Sequence, residues 1–298
     1  RIITMALFAV IDNTIATRIV RVELDATAST SVTAIFQQQR QYFESHHNNM
    51  IPFYAGYTPK HSECFEIQNF TDSARLIDAV NRPTAVPIWD PSQIDIGYIK
   101  ALFVGVDAPA NPNIIALQTF NKKQILDTSK SFFGKLFASK TTFSKANSIG
   151  FNVDDKLVAI IINDTIRFKS FFNLRSIFDM SSYFSAATDQ ELNAFSQLSV
   201  FSTPQGFDLK SVADTVIRNK VTLINQTGML TPQNMSKFKS EAAKVNFPLQ
   251  TIIVGGVEKI VMPSSKKEIK ALLDFLEEDI WVSGISGRRF KSNSKRPI

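Results

Sequence analysis

The hydrophobic periodicity of this chain changes near residue 170, and that change limits the folds it can adopt. Before this point apolar residues form short runs or alternate with polar ones, as in TIRFKSF at 165–171, which is typical of β-strands. After it, apolar residues recur at helical spacing, and several of these segments begin at a Thr, Asp or Ser that can cap a first turn. The order predicts an α+β fold, with a strand-rich N-terminal half built on a mixed or antiparallel sheet and a helix-rich C-terminal half.

The same patterns give approximate element boundaries. Residues 28–46 carry apolar residues at helical spacing after two strands, so we predict a β-β-α opening. Strands are predicted at residues 4–11, 18–24, 64–70, 100–106, 114–120, 150–153, 157–162 and 165–171. Asn163-Asp164 separates the last two strands and predicts a hairpin turn between them. Helices are predicted in the second half at residues 171–184, 188–199, 208–219, 231–246 and 264–278. Between the last two helices, residues 249–263 predict a strand hairpin that turns at Gly255 and Gly256.

Length and composition predict a globular protein with one large domain or two ordinary ones. The chain has 298 residues, of which 44% are hydrophobic. We predict an N-terminal α+β lobe at 1–117, followed at 118–298 by a basic strand region, a helical lobe and a basic tail. The one cysteine, Cys64, allows no intrachain disulfide, and every apolar run is shorter than the roughly 20 residues of a membrane helix. We therefore expect a cytoplasmic protein.

Sequence motifs for common enzyme chemistry are absent. The chain contains no phosphate-binding loop of the GxxxxGK[ST] type, no GxGxxG and no GxSxG, and it has three histidines. We therefore expect a protein that is not an enzyme and that binds no cofactor and no metal ion.

A zinc site is one alternative to that expectation. His46, His47, His61 and Cys64 fall within 19 residues, and these are all the histidines and the only cysteine of the chain. Imidazole and thiolate are the usual ligands of zinc, although two adjacent histidines fit a tetrahedral site poorly. Loop histidines beside a buried thiol would produce the same pattern.

A metal-dependent nuclease is a second alternative. Asp154, Asp155 and Lys156 precede one predicted strand, and Asp164 and Lys169 flank the next. Acids on neighbouring strands can hold a metal ion while a lysine orients the attacking water. The same residues also suit two turns and the outward face of a strand.

Positive charge is segregated along the chain. The whole chain carries a net charge of +6. Residues 118–175 hold ten basic and four acidic residues, and residues 288–298 hold five basic residues and no acidic one. The remaining two regions are net negative. Segregated positive charge indicates a surface for a polyanion, and we predict phosphate contacts to DNA without base reading.

The predicted DNA-binding residues come from these two basic regions. The first region interleaves lysines with phenylalanines, most of which we assign to the core. The second is the C-terminal tail, SGRRFKSNSKRPI at 286–298, which we expect to be an arm anchored by Trp281 and Ile285 that lies near the first region. The predicted DNA-binding residues are Lys122, Lys123, Lys135, Lys140, Lys145, Arg167, Lys169, Arg175, Arg288, Arg289, Lys291, Lys295 and Arg296.

Four stretches of the chain resemble a known family. They are IPFYAGYTPKHSECFEIQNF at 51–70, LQTFNKKQIL at 117–126, IRFKSFFNLRSIFDMSSYFSAATDQELNAF at 166–195 and SNSKRPI at 292–298. Together, and in this order, they resemble the KwaB family of the Kiwa anti-phage defence system. None of these stretches is a catalytic signature.

The resemblance implies a bacterial defence protein that binds DNA and forms a homodimer or larger homo-oligomer. It also implies a multi-pass membrane partner, KwaA, which would recruit the protein to the inner face of the membrane and act with it to block phage DNA replication and expression. A third alternative is that the protein is an adaptor whose basic tail docks on the membrane or on this partner.

Overall fold

The computed structural model describes residues 5–108, 111–127, 136–139, 142–145, 149–292 and 294–296, with backbone alone at 107–108, 111–113, 126–127, 136–139, 142–145 and 149. The chain forms two compact units. Unit 1 comprises the residues up to Phe53 together with Pro59–Asp179, and unit 2 comprises Tyr54–Thr58 together with the residues from Met180 onward. The sequence-predicted boundary after residue 117 falls inside unit 1, whose main sheet continues to Phe168.

The described residues of unit 1 form strands and α-helices. Its strands are β1 (Leu7–Ile11), β2 (Ile19–Val22), β3 (Asn49–Pro52), β4 (Glu63–Ile67), β5 (Ile99–Ala108), β6 (Asn111–Thr119), β7 (Ile125–Asp127), β8 (Leu136–Ser139), β9 (Thr142–Lys145), β10 (Ile149–Phe151), β11 (Ala159–Ile162) and β12 (Thr165–Phe168). Its helices are α1 (Ala26–His46), α2 (Ser73–Asn81) and α3 (Phe171–Arg175).

Unit 2 contains helices and short sheets. Its helices are α4 (Asp189–Ser196), α5 (Thr215–Thr227), α6 (Met235–Lys244) and α7 (Lys266–Leu276). Its strands are β13 (Phe201–Ser202), β14 (Thr251–Val254), β15 (Val257–Val261), β16 (Ile280–Val282) and β17 (Arg289–Lys291). The predicted α+β class, with its strand-rich first half and helix-rich second half, is confirmed.

The main sheet of unit 1 has eight strands in the order β2-β1-β5-β6-β11-β12-β4-β3. Its strand pairs are antiparallel except for β3 with β4, so the sheet is mixed. The predicted β11–β12 hairpin is present, and its turn places Asn163 in the left-handed region at φ 53°. Asparagine tolerates this conformation better than most residues, which explains why Asn163-Asp164 can close the turn.

Helices cover both faces of the main sheet. Along β1, alternate residues point to opposite faces, and all five are buried. On one face, Phe36 of α1 packs in a cluster with Leu7, Ala9 and Leu102, and its complete burial contributes about 2–3 kcal/mol. On the other face, β5 approaches α2 so closely that a Cβ added to Gly105 would lie 2.0 Å from a methyl carbon of Val80.

The helices of unit 2 share one apolar core. Side chains from α4, α5, α6 and α7 pack together with residues of β13 and β15. The predicted hairpin at 249–263 is formed by β14 and β15, and it turns at Gly255 and Gly256, both at positive φ. Glycine adopts this conformation without steric conflict, which explains why the turn lies at these two residues.

Three lysines and three carboxylates form an ionic cluster in unit 2, which comprises Lys220, Asp274, Glu277, Asp279, Lys291 and Lys295. The Nζ of Lys220 lies 2.5 Å from Glu277 and 3.3 Å from Asp274, and it also contacts Asp279, which is fully buried. Burial by itself lowers the pKa of Lys220, but hydrogen bonds to Asp279 and Glu277 outweigh this effect and hold the pKa above its usual range. Lys291 and Lys295 of the tail balance the remaining two negative charges.

Several predicted helix boundaries were wrong. The helix predicted at 171–184 ends at Arg175, where the hydroxyl of Ser176 donates to the carbonyl of Asn173 and replaces a helical hydrogen bond. The helix predicted to start at Asp208 begins at Thr215 instead, after a 3₁₀ turn at Leu209–Ser211. Helix α2 and strand β3 were not predicted.

We expect Gly105→Ala to lower the free energy of unfolding by about 1–3 kcal/mol, because its methyl group would overlap the stiff side chain of Val80. Chemical denaturation followed by circular dichroism measures this change. Adding Val80→Ala should recover much of the loss, whereas Gly284→Ala, which points into open space, should change stability by less than about 0.5 kcal/mol. An unchanged denaturation midpoint for Gly105→Ala would contradict the close packing of α2 on β5.

We expect Lys295→Gln to destabilise the protein by roughly 1–3 kcal/mol, because it leaves the fully buried Asp279 short of a partner. Arg288→Gln is the matched control, since it removes an exposed charge from the same tail and should change stability by less than about 0.5 kcal/mol. Equal thermal shifts for the two variants would show that the ionic cluster does not hold the tail.

Candidate nucleic-acid interface

Lys122 and Lys123 lie on an exposed turn that follows β6. The side chain of Asn121 accepts a hydrogen bond from the backbone N–H of Lys123 at 3.0 Å, and the side chain of Gln124 accepts one from the backbone N–H of Asn121 at 2.9 Å. This reciprocal cap fixes the turn and holds the two ammonium groups in solvent. Within the described part of the chain, neither lysine forms an ion pair, so both are available to phosphate.

Arg175 lies near the same turn on helix α3. Its guanidinium carbon is 5.4 Å from the centre of the Phe172 ring, a cation–π contact that leaves the group exposed. Asn173 and Ser176, on either side of Arg175, line a cavity to which Lys122 also contributes. The structure therefore places Lys122 beside residues of α3, whereas Arg175 is exposed on the same helix but does not line the cavity.

Arg167 and Lys169 have partners inside unit 1. Nε of Arg167 lies 2.9 Å from a carboxylate oxygen of Glu66 on the neighbouring strand β4. The ammonium of Lys169 donates to the backbone carbonyl of His61, before β4, at 3.3 Å and to that of Glu63, the first residue of β4, at 2.7 Å, and burial lowers the pKa of this lysine. Both charges stabilise the fold around β4 and β12, so they contribute less to a phosphate surface than the exposed lysines.

The side chains of three further predicted residues lie outside the described part of the chain. Lys135 and Lys140 lie outside the described residues, and Lys145 is described only as the backbone end of β9. Their assignment to the DNA surface stays a prediction.

The tail is anchored within unit 2, and one of the two expected residues contributes. Ile285 is fully exposed and does not hold the tail, whereas Trp281, although 47% exposed, pairs with and stacks on Phe290 of the tail. The tail is also held by the pairing of β17 with β16, by Lys291 and Lys295 in the ionic cluster, and by Arg296, whose guanidinium lies over the Tyr57 ring at 5.4 Å.

Arg288 and Arg289 are the described tail cations that are exposed and not ion-paired, since Lys291 is exposed but pairs with Asp274. Neither side chain forms an ion pair with any residue that the structure describes. Arg289 pairs with Val282 across the β16–β17 hairpin, and Phe290 pairs with Trp281. Because neighbouring residues of a strand point to opposite faces, Arg289 lies on the face away from the stacked Trp281 and Phe290 rings.

The two exposed groups of cations belong to different units. Lys122, Lys123 and Arg175 belong to unit 1, whereas Arg288 and Arg289 belong to unit 2. The expectation that the tail and the first basic region form one surface therefore stays a prediction.

The residues of the zinc alternative have other contacts. Cys64 is fully buried, its thiol donates to the carbonyl of His47, and burial raises the thiol pKa. Nδ1 of His47 lies 2.8 Å from the carbonyl oxygen of His61, and the ring of His46 stacks on Tyr42. Across the described ranges, no group of three or more His, Cys, Asp or Glu residues has an arrangement that could hold a metal ion.

The acids of the nuclease alternative lie at opposite ends of a strand. Asp154 and Asp155 precede β11, whereas Asp164 lies in the turn that follows it. The four residues of β11 alone span about 13 Å, so the two groups are too far apart to share a metal ion. The backbone carbonyl of Asp154 instead accepts hydrogen bonds from Gln39 at 2.7 Å and Gln118 at 3.0 Å.

The ionic cluster is the feature that sequence reasoning missed. Its acids lie between 274 and 279, in a region that we had counted separately from the tail. The sequence contained a partial signal for these ion pairs. Acidic residues at the end of the predicted helix at 264–278 lie only about ten residues before the basic tail.

Comparisons with known proteins place the chain in a family. No curated protein and no solved structure matches it. In the part of the chain that is described, no helix is both long and apolar enough to cross a membrane. The model of the family described as Kiwa protein KwaB-like matches residues 99–286, from β5 to the loop between β16 and β17. This match covers more than half of the chain, so the protein belongs to the KwaB-like family of the Kiwa anti-phage defence system.

Proposed function

We propose that this protein is a non-enzymatic defence effector that binds DNA through phosphate contacts, largely without regard to sequence. Acting with the membrane protein KwaA, it would block the replication and expression of phage DNA. The observation that carries the proposal is that Arg288 and Arg289 are exposed and form no ion pair with a described residue. The tail lysines, Lys291 and Lys295, instead form ion pairs within unit 2. Lys122, Lys123 and Arg175 offer a second group of exposed cations.

The geometry of these cations favours phosphate over base recognition. Arginine presents several donors in a planar fork that matches phosphate oxygens, and lysine acts as a mobile point charge. Lys122 and Lys123 lie on a 3₁₀ turn, Arg175 lies on a five-residue helix, and Arg288 and Arg289 lie just before and at the start of the second strand of a short two-stranded ribbon. None of these elements is a long helix of the kind that enters the major groove. Contacts of this type position a protein on DNA but carry no sequence information.

Duplex DNA binding by the purified protein should weaken steeply with salt, and the double variant Arg288→Gln/Arg289→Gln should show a shallower dependence. Each lost phosphate contact reduces the slope of log affinity against log salt by about 0.9, so the double variant should lose about 1.8. Fluorescence anisotropy with two duplexes of unrelated sequence measures both the slope and the tolerance of sequence.

The control for this experiment is Lys156→Gln/Lys267→Gln, which removes two exposed charges, one in each unit, from outside the proposed surface. Point substitutions are preferable to deletion of 288–298, because deletion would also remove Lys291 and Lys295 from the ionic cluster and lower stability. A slope near zero for the wild-type protein, or equal losses in the control, would contradict phosphate binding by the hairpin.

The apolar face of the β16–β17 hairpin supports the second part of the proposal, contact with the membrane partner. Trp281 and Phe290 stack with their ring centres 4.7 Å apart and are 47% and 41% exposed, and Ile285 at the hairpin loop is fully exposed. Exposed aromatic residues beside arginine are enriched in protein interfaces. Arg289 points to the other face, where Val282 packs against the core of unit 2, but its own side chain stays exposed, so a protein bound to the aromatic face would not cover it.

Trp281→Ala/Ile285→Ser should reduce co-purification of the protein with KwaA from detergent-solubilised membranes at least severalfold, because both exposed apolar contacts are removed. The DNA affinity of this variant should stay within about twofold of wild type, since Arg288 and Arg289 are retained. Ile252→Ser, which changes an exposed apolar residue on β14, is the control. Undiminished co-purification would show that the partner binds elsewhere or does not bind this chain.

A further inference from the structure

A cavity of about 370 Å³ lies in unit 1 where β5 begins and β6 ends. These two central strands are antiparallel, with Ala101 opposite Thr119, so the start of β5 and the end of β6 lie side by side. The volume is within the range of small-molecule sites, about 300–1,000 Å³. The lining residues are Ile96, Gly97, Ile99, Lys100, Thr119, Phe120, Asn121, Lys122, Ile125, Asn173 and Ser176.

Among the described residues, the cavity wall carries two cations and no carboxylate. The ammonium of Lys100 lies 2.7 Å from an oxygen of Asp12, which is outside the lining, and a hydrogen bond from Lys100 is the main cause that lowers the pKa of Asp12 to about 2. This pairing fixes the ammonium in position and occupies one of its three donors. Lys122, which forms no ion pair within the described ranges, contributes a positive charge that nothing there neutralises.

The rest of the wall combines apolar and neutral polar groups. Ile96, Ile99 and Phe120 are buried residues that give the cavity a fixed apolar side. Asn121, Asn173 and the hydroxyl of Ser176 add hydrogen-bonding groups. The capped turn at Lys122–Gln124 holds the lysine side of the cavity in place without a ligand. A planar heterocycle could pack against the apolar side while its polar edge forms hydrogen bonds with the asparagine amides. An anionic group of the same ligand could bind the two lysines.

We propose that this cavity binds a nucleoside monophosphate unit, with the phosphate at Lys100 and Lys122 and the base against the apolar side. The unit can come from a free nucleotide or from the 5′-phosphorylated end of a nucleic acid strand, because both present the same chemistry. The inference rests on the cavity and not on the binding of duplex DNA through the exposed arginines.

The test is isothermal titration of the full chain with AMP and dAMP at low salt, in the absence of DNA. Saturable binding at one site per chain is expected, with adenosine and inorganic phosphate each binding at least about tenfold more weakly than AMP. Lys122→Gln and Asn173→Ala should each weaken AMP binding, the former by about tenfold or more because it removes a charged hydrogen bond. Lys156→Gln, an exposed lysine of the same unit outside the cavity, is the control and should bind AMP as the wild type does.

A second arm distinguishes the two sources of the ligand. A short single-stranded oligonucleotide with a 5′-phosphate should bind more tightly than its 5′-hydroxyl counterpart if the site takes strand ends, and Lys122→Gln should abolish the difference. If AMP binds but the two oligonucleotides do not differ, the site takes free nucleotides. The proposal would be overturned if neither AMP nor the phosphorylated strand bound saturably. It would also be overturned if Lys122→Gln left AMP binding unchanged, if Lys156→Gln weakened it equally, or if inorganic phosphate bound as tightly as AMP.

Discussion

The main sheet depends on the long pairing of β5 with β6. On one side, β5 holds β1 and β2, and on the other, β6 holds β11 and, through it, the strands that include β3 and β4. The pair is also where the helices meet the sheet, since α1 packs beside Leu102 and α2 lies against Gly105. A glycine is required there because even one methyl group would occupy the space of Val80. The cavity edge and the turn of Lys122 both follow from where these two strands begin and end.

Local chemistry in the sequence was enough to predict short-range structure. The hairpins at Asn163-Asp164 and Gly255-Gly256 were predicted because their turn residues tolerate positive φ. The order of the strands was not predictable in this way. Strand β4 joins the sheet beside β12, so Arg167 lies opposite Glu66 across about a hundred residues of chain, and no local pattern marks such a pairing.

The predicted start of α5 was wrong because a tertiary contact decided between two local signals. Both Asp208 and Asp214 can cap a helix, and each accepts a backbone hydrogen bond in the structure. Asp214 also pairs with Lys270 of α7 at 2.6 Å, and this contact favours the start of α5 at Thr215. The roles of the tail cations were likewise decided by tertiary contacts that the sequence pattern does not show. Charge counting located the tail, but it could not separate Lys291 and Lys295, which neutralise buried carboxylates, from the exposed Arg288 and Arg289.

That separation bears on how a protein of this kind could distinguish phage DNA from host DNA. Phosphate groups are identical in both, so exposed lysines and arginines cannot provide selectivity, however many of them contact the backbone. Selectivity must come from where the protein is held or from what else it binds. The β16–β17 hairpin places an apolar surface and an arginine on opposite faces, which would let a partner fix the location at which DNA is engaged. A cavity for a nucleoside monophosphate would add a chemical signal, because free nucleotides and broken strand ends differ from intact host duplex even though the phosphates along the duplex do not.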